Sequence, residues 1–175
     1  MKGLFFILFL IPTLSFAQSI NKTKDEVISS LSAYADTLKS PDLKQIKELL
    51  KNPNFTPGDE WGDAPEDTPR YSLKIDNNLV FKMDIDASKG KVFTLWLQYP
   101  RENEYASNVI AMKKAIAYVT NIKIYTDKKL NKQYTKFMNT PRDSKGKANY
   151  KRIYGYAFMN TICSDEIFCI TAEDD

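Results

Sequence analysis

The sequence predicts an α+β fold: an antiparallel sheet of about five strands, two N-terminal helices, and a long helix packed on the sheet. Apolar residues recur at helical spacing in four separate stretches, while residues 81–86 alternate strictly between apolar and polar. The strands come in runs interrupted by separate helices, which argues against a parallel βαβ sheet.

Thr23-Lys24-Asp25-Glu26 has the form of a capping box, in which the threonine caps the first turn and the glutamate reaches back. Val27, Leu31, Tyr34 and Leu38 follow at helical steps, and the helix is expected to stop near Ser40. Ser40-Pro41-Asp42 opens a second helix with proline at its first position. Its apolar stripe is Leu43, Ile46, Leu49 and Leu50, and Asn52-Pro53 ends it. Residues 53–70 form a loop, because Pro53, Pro57, Pro65 and Pro69 forbid regular structure. Five of the nine residues from Asp59 to Asp67 are acidic, so this loop carries concentrated negative charge around Trp61.

Strands are expected at Tyr71 to Asp76 and Leu79 to Asp86, joined by an Asn77-Asn78 turn. In the second, Leu79, Phe81, Met83 and Ile85 share one face, and Lys82, Asp84 and Asp86 share the other. That is the pattern of a half-buried strand with one wet face. Ser88-Lys89-Gly90 turns the chain into a third strand, Val92 to Tyr99, ended by Pro100. Tyr105, Val109, Met112, Ile116 and Val119 then define the longest helix. Residues 121–126 fit a short strand or a helical continuation. Thr126 or Asp127 caps a further helix with the stripe Leu130, Tyr134, Phe137 and Met138. After a loop at Thr140 to Lys147, the last strands are Tyr150 to Met159 and Ile167 to Ala172.

The N-terminus specifies an address. Met1-Lys2-Gly3 is short and positive, and Leu4 to Leu14 is apolar except at Pro12 and Thr13. Ser15-Phe16-Ala17 has the small-residue spacing read by a signal peptidase. Residues 1–17 therefore read as a cleaved signal peptide. Residues 18–175 then form one globular domain, exported to the periplasm or the extracellular space. Nothing in this domain is long and apolar enough to serve as a transmembrane segment. A hydrophobic content of 43% excludes a disordered chain.

Beyond an export signal, Cys163 and Cys169 read as a disulfide across a turn between the last two strands. Histidine is absent from the chain. That removes the usual general base, the usual triad member and the commonest zinc ligand. No Walker loop, dinucleotide fingerprint or Gly-x-Ser-x-Gly occurs, and no cofactor or metal is implied. Asp84-Ile85-Asp86-Ala87-Ser88 begins like a calcium loop, but Lys89 stands where glycine is needed and Leu95 where the bidentate glutamate belongs. Tyr154-Gly155-Tyr156-Ala157-Phe158 shares a short core with the aromatic strand of RNA-recognition domains. It reads better as rings filling a sheet face, and no nucleic-acid partner is expected. Ser88-Lys89-Gly90-Lys91 and Ser144-Lys145-Gly146-Lys147 repeat a Ser-x-x-Lys spacing, but both read as glycine turns.

Charge is the strongest functional lead. Residues 113–152 hold twelve basic side chains against Asp127 and Asp143, a net charge of +10, whereas residues 153–175 hold five acids and no base. Lys129, Lys132 and Lys136 fall opposite the apolar stripe of their helix. With Lys145, Lys147 and Arg152, they are the candidate contacts for an acidic protein partner or an anionic envelope surface. The expected function is non-catalytic binding, as an immunity or inhibitor protein or as an envelope accessory subunit. One alternative is a cell-wall glycan hydrolase using two carboxylates. Another is a carrier of a small apolar ligand, which needs a cavity between helix and sheet.

Overall fold

A computed structural model describes residues 20–58, 68–122, 127–141, 149–153, 156–164 and 167–173; in the last two segments only the side chains of Phe158, Met159, Asn160 and Ala172 are included. The expected leader, the acidic stretch 59–67, the ambiguous residues 123–126 and the second Ser-x-x-Lys turn lie outside the described residues.

The described residues form four α-helices and an antiparallel sheet, as the α+β reading expects. Helix α1 spans Lys24–Ala35 and begins with the capping box: the Glu26 amide donates to the Thr23 hydroxyl at 3.2 Å, and the Thr23 amide donates to the Glu26 carboxylate at 2.7 Å. It stops short of Ser40 because the Thr37 hydroxyl donates to the Tyr34 carbonyl at 2.7 Å and closes the last turn. A 3₁₀ turn at Pro41–Leu43 leads into α2, Lys44–Lys51, which buries Ile46 and Leu50 against α1.

The strands are β1 (Thr56–Pro57), β2 (Arg70–Lys74), β3 (Val80–Asp86), β4 (Lys91–Pro100), β5 (Asn149–Ile153), β6 (Tyr156–Ser164) and β7 (Ile167–Glu173); β1 lies inside the stretch expected as loop, because an edge strand tolerates proline. Their order across the sheet is β1-β2-β3-β4-β7-β6-β5, so two antiparallel meanders meet where β4 pairs with β7. The single strand expected from Tyr150 to Met159 is two strands, with Ile153 opposite Tyr156. Tyr150, Ile153, Tyr154, Tyr156 and Phe158 favour strand on both sides of the break, and Gly155 between them is the sequence signal of the break that the expectation passed over. The β6–β7 hairpin carries both cysteines: Cys169 lies opposite Thr161, and Cys163 falls at a register irregularity between Ile162 and Ser164. Their side chains, and so the expected disulfide, lie outside the described residues.

Alternation along the strands gives the sheet an apolar face. Met83, Leu95, Ala172 and Phe158 form one cross-strand row, and Leu73, Phe81 and Leu97 form the next; all are buried. Helix α3, Ser107–Val119, packs on this face through β4 and is covered on its other side by α1. It is consequently buried nearly all round. Ala111, Ala115 and Ala117 are buried along with the expected Val109, Met112, Ile116 and Val119. The Tyr34 hydroxyl donates to the Ala111 carbonyl at 2.8 Å, and burial pushes its pKa upward. Tyr105, expected on the buried stripe, precedes the helix and is 65% exposed.

The segment before α1 is tied down by Lys22. Its ammonium donates to the Val119 carbonyl at 2.6 Å and the Ser30 hydroxyl at 2.9 Å, placing positive charge at the C-terminus of α3. Burial lowers the Lys22 pKa, opposed by the nearby Glu26 carboxylate.

Met112 is fully buried at the centre of this assembly. Met112→Ala is expected to destabilise the protein by about 2–5 kcal/mol, read as a lower urea midpoint at unchanged slope.

Candidate functional site

Helix α4, Lys128–Met138, carries the basic surface. The Asp127 side chain caps it, accepting from the amides of Lys129 and Leu130 at 2.9 and 3.1 Å. Tyr134, Phe137 and Met138 are buried, and the Tyr134 ring meets Phe158 edge-on at 5.3 Å. This contact places Phe158 in the core, away from any base-stacking role. The opposite side of α4 presents Lys128, Lys129, Lys132 and Lys136, all exposed, and the helix contains no acid. Steps of three and four residues place these lysines on one ridge. Among the described residues no carboxylate pairs with them. Two lysines in the first turn also oppose the helix dipole, so this ridge carries an electrostatic cost within the fold.

The other expected contacts are distributed differently. Lys145 and Lys147 lie outside the described residues. Arg152 is exposed on β5, but its register runs through Ala157, Glu173, Thr94 and Asp84 to Arg70, the row on the sheet face away from the helices. The structure therefore separates Arg152 from the α4 lysines.

That far sheet face holds a polar cluster in place of the expected wet surface. Arg70 grips Asp84 with two parallel hydrogen bonds, Nε to Oδ1 at 2.5 Å and Nη2 to Oδ2 at 2.9 Å. The Trp96 indole N–H donates to the same Asp84 Oδ2 at 2.7 Å. Asp84 is 3% exposed and neighbouring Lys82 is 2% exposed, so β3 is buried on both faces. Alternation fixed which residues share a face, but it carried no information on what covers that face. Asp84 is committed to an arginine and an indole, which opposes the calcium-loop reading.

Asp86 serves the following turn. It accepts from the Ser88 amide at 2.9 Å and hydroxyl at 2.5 Å and pairs with Lys89 at 3.0 Å, while Gly90 supplies φ +63°. These contacts, the Ser88 hydroxyl first, hold its pKa down to about 2. Asp86, Thr68, Ser88 and Phe93 line an open groove of about 390 Å³. A carboxyl held this low stays ionised and is the opposite of a general acid.

The third feature is a buried ammonium. Lys113 of α3 is 2% exposed and donates to the Met138 carbonyl at 3.2 Å and the Glu104 carbonyl at 3.5 Å; the Glu104 carboxylate lies 3.9 Å away and is 7% exposed. The Tyr134 hydroxyl donates to the Lys113 carbonyl at 2.8 Å. Between α3 and α4 these residues leave a cavity of about 40 Å³, bordered by Ile110, Lys114, Asn131 and Thr135. Its volume suits one small group and not a carried apolar ligand. Sequence reasoning passed over Lys113 and the Arg70–Asp84–Trp96 cluster. A signal for Lys113 existed, because it sits four residues after Val109 on an apolar helix face.

Arg70→Ala is expected to cost about 3 kcal/mol, because it leaves Asp84 buried without its cation. Adding Asp84→Asn is expected to recover part of that loss in a double-mutant cycle of urea unfolding. The Asp86 carboxyl is expected to titrate near 2 by NMR. Its contribution to the folded state is complete above the unfolded carboxyl pKa and is lost as pH falls through about 2, and Asp86→Asn should abolish that dependence.

Among the described residues no helix is long and apolar enough to cross a membrane, and no cluster of acidic or sulfur ligands suits a metal ion. No family model, curated protein or solved structure matches this chain.

Proposed function

We propose that the protein is an exported binding protein that docks on an acidic partner through the lysine ridge of α4. In its most concrete form it is an immunity or inhibitor protein acting on an enzyme in the cell envelope. The observation that carries this reading is the ridge itself: four exposed lysines on one helix face with no acid on the helix. Unpaired like charges serve solubility and steering more than folding, and they raise association rates with an oppositely charged surface. Export is supported by the leader pattern of residues 1–17. In that compartment Cys163 and Cys169 form a disulfide, lowering the intact mass by a pair of hydrogens relative to the reduced chain.

Affinity capture from envelope extract tests the reading, with native protein compared against a Lys129→Glu/Lys132→Glu/Lys136→Glu variant. The expected result is a partner retained by native protein at low salt, released at about 0.2 M salt, and never retained by the variant. Peptidoglycan digestion by purified protein, together with identical capture by both forms, would reverse the reading. The mass of native protein checks export directly, since it should begin at Gln18.

A further inference from the structure

The groove beside the ridge narrows the kind of partner. Helix α3 supplies Ile110 and exposed Lys114 on one wall; α4 supplies Asn131 and Thr135 on the other, above a floor of Tyr134 and Met138. Lys128 and Lys132 stand one helical turn before Asn131 and Thr135, so cationic side chains border the groove along α4. Buried contacts hold both walls: the Lys113 ammonium donates to the Met138 carbonyl, and the Tyr134 hydroxyl donates to the Lys113 carbonyl. A preformed groove loses less entropy when it is filled.

The occupant must be negatively charged and must place something small in about 40 Å³. A bilayer surface fits poorly. Membrane-bound helices insert an apolar face among the lipids, whereas the apolar stripe of α4 is consumed by the core. The exposed positions, Lys128, Lys129, Asn131, Lys132, Gln133, Thr135 and Lys136, include no aliphatic or aromatic residue. We infer that the α3–α4 groove receives a carboxylate-rich segment of a partner protein, which seats one small side chain over Tyr134 and Met138 while its acids face Lys128 and Lys132. This rests on the binding function proposed above and adds the partner's class and the seat it occupies.

Fluorescence anisotropy with a labelled peptide of alternating glutamate and alanine tests the inference, with vesicles of phosphatidylcholine and about one-third phosphatidylglycerol as the lipid probe. The peptide is expected to bind purified protein at low salt. The uncharged, groove-filling Thr135→Trp should weaken it about tenfold, with the circular dichroism spectrum and urea midpoint unchanged. Peptide binding that is lost on reversing Lys129, Lys132 and Lys136 but unaffected by Thr135→Trp would overturn the groove and leave the ridge as the docking surface. Tighter association with the vesicles than with the peptide would overturn the choice of a protein partner. Absence of both interactions at low salt would overturn the groove together with the proposed function.

Discussion

The ammonium of Lys113 must find acceptors where water is excluded, and this need links α3 to α4. A charge at that depth is tolerable only with oxygen atoms around it. The carbonyls of Met138 and Glu104 accept from it, and the Glu104 carboxylate stands 3.9 Å away as a counter-charge. Because the first belongs to the end of α4 and the others to the turn before α3, satisfying one charge joins the two helices. The return bond from the Tyr134 hydroxyl to the Lys113 carbonyl sets the other side of the same junction. The outward direction of the α4 lysines follows from this arrangement, since Tyr134, Phe137 and Met138 are the positions turned inward.

Charge is handled in two ways in this molecule. On the far sheet face, Asp84 is enclosed by Arg70 and Trp96, a bidentate pair with an added indole donor that leaves little capacity for another ligand. On α4, the charges stand on the surface, and among the described residues no carboxylate is paired with them. Enclosed charge fixes local geometry, whereas surface charge extends a field into solvent and remains sensitive to salt. The functional reading therefore belongs to the helix surface, even though the sheet cluster has the stronger individual hydrogen bonds.

Legibility followed the range of the interactions. The Thr23–Glu26 capping box, the proline start before α2, the alternation of β3 and the stripe of α4 all depend on residues a few positions apart, and each was readable. Tyr105 misled because helical spacing continued past the point where the helix begins. The break between β5 and β6 was passed over because β-prone residues flank Gly155 on both sides. Arg152 was grouped with the lysines by proximity along the chain, while sheet register placed it on the opposite face.

The sequence by itself determined the α+β class, the helix stripes, the absence of imidazole chemistry and the concentration of positive charge in residues 113–152. All of these are local or additive properties of the chain. Tertiary structure alone decided that β4 meets β7, that the polar side of β3 is covered, which carbonyls receive the Lys113 ammonium, and that a groove lies beside the lysine ridge. Each of these depends on segments distant in sequence excluding water from the same space, and no short-range pattern encodes which segments those will be.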